Sequence, residues 1–233
     1  MNRKKSVLFA AVVRAATVAA VITVAAFGCC SCSPTLSVRA DGAEGVHLSF
    51  LTGFSDSTAR LLRSMLAMTG AVDESVDKPL FSADDLRAVL ESSGFTKIEA
   101  KNVSSTTINA SALYQNLRLG ELSKMGILSR TANSLTLTLG PRQLWTLYAL
   151  SNEETQLYLD LLMLPALSGE TLSVSEYNAL LASLYGPSFA GEITGGTLTL
   201  TLSAPDGKKS TTTKLTLGEL LTLAEERSWT ITW

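Results

Sequence analysis

The stretch TLTLTLSAPDGKKSTTTKLTL, beginning at Thr197, constrains the fold more than any other part of the chain. Leu198, Leu200 and Leu202 alternate with threonines, and a period of two puts every leucine on one face of an extended strand. Pro205, Asp206 and Gly207 supply turn chemistry, after which the chain returns through residues 211–217 as the second arm of a hairpin. The same alternation marks SLTLTLG, residues 134–140, as a half-buried strand.

The rest of the chain divides into shorter elements of both kinds. Residues 36–40 and 46–51 flank DGAEG, where Asp41 and Gly42 predict a second hairpin turn. Weaker alternation predicts strands over 95–103 and 106–113. Leu61, Leu62, Met65, Leu66 and Met68 recur at helical spacing over 57–69, as do Leu86, Val89 and Leu90 over 82–93, where Gly94 is placed to end the helix. Pro141 opens a further helix through Leu150. SNEE from Ser151 and SVSE from Ser173 each put a glutamate three residues after a capping serine, the signature of a helix start. Gly186 and Pro187 are expected to stop the second of these, Thr216 with Glu219 to cap a last helix to about Arg227, and WTITW to close as a strand. LRAVLESSGF and YNALLASLYG are faintly alike, a likeness that two helices of one period share by chance. Helices and strands in groups, with hairpins prominent, predict an α+β fold: an antiparallel sheet built from hairpins with several packed amphipathic helices.

The N-terminus has a different character. Arg3, Lys4 and Lys5 open the chain, Arg14 follows, and residues 15–27 carry no charge before the small Gly28. That is the layout of a secretory signal, with a basic n-region, a short apolar h-region and a small-residue processing site. A spanning helix needs roughly 20 predominantly apolar residues, and Arg14 would cost a few kcal/mol in hydrocarbon, so the stretch reads as a removed leader. All three cysteines follow at once, in AFGCCSC. AAFGC, residues 25–29, resembles a relaxed form of the bacterial lipoprotein box, with Ala26 where that family usually has Leu. The resemblance covers residues 1–32. It implies transfer of a diacylglycerol to the Cys29 sulfur, cleavage between Gly28 and Cys29, and acylation of the new amino terminus. Cys30 is the alternative modified position, preceded by Gly28 and Cys29. Cys30 and Cys32 have no cysteine elsewhere to pair with, which leaves no disulfide framework for the remainder. The expected organisation is a signal peptide over 1–28, an anchor, tether and start of the first hairpin over 29–45, and a single α+β domain over 46–233.

Cleavage after Gly28 would remove four of the 19 basic residues and none of the 21 acidic ones, leaving a formal net charge of −6. A mildly acidic surface repels nucleic acid, so no nucleic-acid partner is expected. The 46% hydrophobic content against 17% charged residues is that of a folded chain.

Chemistry is sparse. His47 is the single histidine, set in an alternating strand beside Val46 and Leu48, and it reads as a residue on the solvent face. No GxSxG elbow, phosphate loop or dinucleotide fingerprint occurs. With one histidine and the cysteines in the anchor, neither a metal site nor another cofactor is expected. Asp84/Asp85 and Glu153/Glu154 fall in the first turns of expected helices, where the macrodipole favours negative charge. Glu225/Glu226 fall at a solvent-facing helix end beside Arg227. The sequons at Asn102 and Asn109 are short enough to arise by chance.

LYLDLLMLPALSG, residues 157–169, is apolar on nearly every side except at Asp160. Such a segment is either a core helix or the wall of an apolar groove, for which Leu157, Leu161, Leu162 and Leu164 are the candidate lining. The sequence thus points to a lipoprotein held by its acyl chains in the bacterial cell envelope, at the outer membrane or facing the periplasm. Its expected role is a non-catalytic binding or assembly module with a protein partner. The alternatives are a carrier of an apolar ligand or lipid, and then a hydrolase.

Overall fold

The computed structural model describes residues 34–68, 79–80, 82–117, 120–150, 156, 160 and 171–233. The elements run β1 (Thr35–Asp41), β2 (Gly45–Gly53), α1 (Asp56–Met68), α2 (Ala83–Ser92), β3 (Thr96–Asn102), β4 (Thr107–Tyr114), α3 (Glu121–Lys124), β5 (Leu128–Arg130), β6 (Ser134–Leu139), α4 (Pro141–Leu150), α5 (Val174–Tyr185), α6 (Pro187–Gly195), β7 (Thr197–Ser203), β8 (Ser210–Thr216), α7 (Leu217–Leu221) and β9 (Arg227–Thr232). This is an α+β fold, as the grouping of periods predicts.

The strands form two sheets, one of six strands in the order β3-β4-β2-β1-β7-β8 and one of three in the order β5-β6-β9. The hairpins expected at DGAEG and APDG are both present, as β1–β2 and β7–β8. They meet through β1 and β7, which pair in parallel with Leu36 beside Leu200 and Val38 beside Leu202. The large sheet is therefore mixed: two antiparallel groups joined at one parallel seam. Parallel neighbours need a long crossover, and every element from β2 to α6 lies in that connection.

Alternation along each strand becomes two faces across the sheet. One row of the inner face runs Ala100, Ala110, Phe50, Leu36, Leu200 and Thr213. Leu86 and Leu90 of α2 pack over β3 and β4, and the small sheet brings Leu135, Leu137, Leu139 and Ile231 across β7 and β8, all within one core. Tyr177 of α5, with no exposure at all, is the bulkiest side chain enclosed there.

Local chemistry sets the helix ends. Ser82 Oγ accepts from Asp85 N at 3.1 Å, and Ser173 with Glu176 and Thr216 with Glu219 form complete capping boxes. Two expectations about helix length are corrected. Gly186, at φ +90°, does end α5, but Pro187 opens α6 and does not merely stop the chain. Proline suits a first helical position, where its missing N–H has no partner to lose. The helix begun at Leu217 ends at Leu221, short of Arg227, because residues 227–232 are drawn into pairing with β6, Leu139 opposite Arg227 and Ser134 opposite Thr232. Gly218 lies where a Cβ would stand 2.7 Å from Val174 Cγ1 and 3.0 Å from Thr194 O, so α7 approaches α5 and α6 only because that residue has no side chain.

Two charged residues tie distant segments together. Arg130 Nη1 donates to Asp41 O at 2.8 Å and to Gly45 O, while Nη2 donates to Gly42 O at 2.6 Å. It thereby pins the small sheet to the β1–β2 turn, and its guanidinium lies 5.8 Å from the Trp233 ring centroid. Glu192 of α6 accepts from Ser55 N at 2.9 Å, Ser55 Oγ at 2.6 Å and Thr58 Oγ1, capping α1 from 137 residues away.

Candidate functional site

The outer face of the large sheet is hydroxylic. Its central row runs Glu99, Ser111, Ser49, Ser37, Thr201 and Thr212 across all six strands, with strands spaced about 4.8 Å apart. The next row runs Lys101, Asn109, Leu51, Thr35, Thr199 and Lys214. Ser37, Ser49, Ser111, Thr199 and Thr201 are half-buried. Thr201 and Thr212 share a hydroxyl hydrogen bond at 3.1 Å, and on the small sheet Thr136–Thr230 and Thr138–Ser228 do the same at 2.9 and 2.8 Å. Such a surface offers donors and acceptors in a plane, with Glu99, Lys101 and Lys214 at its two edges.

His47 belongs to this face, on β2 between Arg39 of β1 and Leu113 of β4. It lies on the outer face that the strand alternation gives it and is half-buried there. Burial first, and the Arg39 charge second, push its pKa below the ordinary imidazole value.

Two of the carboxylate pairs are among the described residues. Asp84 and Asp85 lie in the first turn of α2, and Asp84 Oδ1 is 3.4 Å from Arg87 Nη1. Glu225 and Glu226 do not sit on a helix: they lie in the extended segment between α7 and β9. Glu226 Oε1 accepts from Gln143 Nε2 at 3.0 Å and lies 3.5 Å from Arg142 Nε. An open depression of about 420 Å³ runs beside them, walled by Leu172, Val174, Glu219, Leu223 and Glu225. Glu219 is committed to its capping box, and its pKa is depressed by the Thr216 backbone N–H and then the Thr216 hydroxyl. Among the described residues no group of His, Cys, Asp and Glu side chains is placed to hold a metal ion. No helix among them is long and apolar enough to cross a membrane.

Gly28, Cys29, Leu157, Leu161, Leu162 and Leu164 lie outside the described residues, as do Glu153 and Glu154. Two residues next to the candidate groove are described. Tyr148 Oη donates to Asp160 Oδ1 at 2.6 Å, and Gln156 Nε2 donates to Tyr148 O at 3.2 Å. Tyr148 stacks on Trp145, ring centroids 5.6 Å apart, and Trp145 is 51% exposed.

Sequence reading missed the hydroxylic face because no one strand displays it. The signal was present piecemeal, as Ser and Thr alternating with apolar residues in β1, β2, β4 and β7, but the rows exist only once the parallel seam sets β1 beside β7. Searches of protein-family models, curated proteins and solved structures found no match to this chain.

Proposed function

We propose that this chain is a bacterial envelope lipoprotein, anchored through acyl chains on Cys29 and held at the outer membrane, whose folded body acts as a non-catalytic binding or assembly module. The observation that carries the reading is the order Arg3-Lys4-Lys5, apolar run, AAFGC: a basic segment, an apolar segment and a small-residue site end on a cysteine whose thiolate can take a lipid. More than one acyl chain is needed for a stable hold, since a single myristoyl group binds only marginally and each buried methylene adds about 0.8 kcal/mol. Thr35 opens β1 six residues after Cys29. At most about 3.6 Å per residue, the tether keeps the start of the sheet within roughly 22 Å of the anchor. The hydroxylic face, with its charges confined to Arg39 and the outer strands, supports the binding role, because it can form many weak polar contacts.

The test is Cys29→Ser in the full chain, followed by detergent-phase partition and incorporation of labelled palmitate. Loss of both is expected. Unchanged partition and unchanged labelling would overturn the proposal.

A further inference from the structure

The two edges of the large sheet are finished differently, and the β8 edge is fit to pair with another strand. Ladder parity shows which groups it leaves over. Ala204 N donates to Lys209 O at 2.9 Å and Leu217 N to Gly196 O at 2.8 Å, at either end of the β7–β8 pairing. In an antiparallel ladder, hydrogen-bonded pairs alternate with non-bonded ones. Residues 209, 211, 213, 215 and 217 therefore turn their backbone groups to β7, and Ser210, Thr212, Lys214 and Thr216 turn theirs to the free side. Thr216 N is taken by Glu219 Oε2 at 2.6 Å. Ser210, Thr212 and Lys214 are exposed, and among the described residues no strand pairs with this side of β8.

We propose that β8 pairs antiparallel with β8 of a second copy of this chain, about a two-fold axis at Thr213, joining two large sheets into one. Charge selects this occupant. The strand has Lys208 and Lys209 just before its start and Glu219 just past its end. Antiparallel self-pairing lays the basic end of each copy beside the acidic end of the other, and the two-fold makes this contact twice. A centre at Lys214 would set lysine against lysine, and one at Thr211 would set Lys208 against Lys214. At Thr213, each Lys214 faces Thr212 of the other copy, and Thr212 and Lys214 exchange backbone hydrogen bonds across the axis. The Thr201–Thr212 row then meets Lys214 and Thr199 of the second copy. The inner face fits as well, since Thr213 ends the apolar row at the edge and meets its own copy, with Leu215 opposite Thr211. The inference stands independently of the anchor.

The test uses the full-length chain with Cys30 and Cys32 changed to Ser and Thr213→Cys added, purified in nonionic detergent and oxidised mildly with copper–phenanthroline. Non-bonded antiparallel partners have Cα atoms about 4.5 Å apart, within disulfide range. A disulfide-linked dimer is expected, absent from the same chain without Thr213→Cys, and sedimentation of the unoxidised protein should give the mass of two chains. Thr212→Pro removes an N–H that faces away from β7, so the fold should persist by circular dichroism while crosslinking falls about tenfold. Lys208→Glu with Lys209→Glu, on an exposed turn, should weaken the dimer by a similar factor without altering the fold. A monomer mass with no crosslink, a dimer that Thr213→Cys fails to trap, or crosslinking indifferent to both the Pro and the Glu variants would each overturn the proposal.

Discussion

β3 and β8 close opposite edges of one sheet, and the two are built differently. β3 carries Lys97, Glu99 and Lys101 on its outer face. Its register with β4 shifts between Thr96 and Glu99, where Lys97 adopts φ +50°, and α2 packs along it. Irregularity, charge and a covering helix are the usual ways of blunting an edge. β8 runs seven residues in unbroken register, and its one charged side chain is Lys214. The contrast shows that the two rims of one sheet need not be built alike: one is bent, charged and backed by a local helix, and the other is the regular second arm of a hairpin.

The comparison breaks most readily through the core behind each edge. Leu200, 1% exposed, sits in the row that β8 completes, and Leu200→Ala should lower stability by about 2–5 kcal/mol, read as a fall in the urea midpoint. Ile98, only partly enclosed on β3, should cost about 1 kcal/mol when cut to Ala. If the two costs are equal, the edges are not differently supported.

Caps give a smaller and sharper pair. Ser82→Ala frees Asp85 N at the helix covering β3, and Thr216→Ala dismantles the capping box that ends β8; each should cost about 1 kcal/mol. They should differ in pH dependence. Glu219 has a depressed folded pKa, so its contribution is present above its unfolded pKa and is lost as pH falls through the folded value. Urea midpoints of wild type and Thr216→Ala should differ most at neutral pH, and the gap should narrow below the ordinary carboxylate range without closing, because the cap bond from Glu219 N to the Thr216 hydroxyl does not titrate.

The smallest effects should have opposite signs. Lys97→Gly releases a left-handed lysine, and after the entropic cost of glycine it should stabilise by a few tenths of a kcal/mol. Thr212→Gly in the regular strand should destabilise by about 0.5–1 kcal/mol and lose the hydroxyl bond to Thr201. Thermal melts of the two variants would show whether the β3 irregularity is strain or an accommodated bend.

Much of this architecture is local and was legible for that reason. Leu198, Leu200 and Leu202 declare their face by period alone, and Pro205, Asp206 and Gly207 declare the turn. Ser173 and Thr216 announce helix starts because a cap and its glutamate are three residues apart. Misreadings arose where a distant partner overrides local preference, as when pairing with β6 claims Arg227 and the helix expected to reach it stops at Leu221, or where one residue serves two roles, as Pro187 does. Arg130 and Glu192 gave no signal in the sequence, since their acceptors and donors lie 85 to 137 residues away. The hydroxylic face was equally hidden, being assembled from single residues on separate strands.

The sequence by itself determined most element types, the capped starts at Ser173 and Thr216 and both hairpins, all of which depend on neighbours within a turn or a strand. Only the tertiary structure decided that β1 and β7 lie parallel, that β8 is left at a rim and that serines from three strands share a row. Those outcomes depend on which apolar faces find each other across the chain, and hydrophobic burial is non-directional: it demands that the leucines be covered without naming the partner.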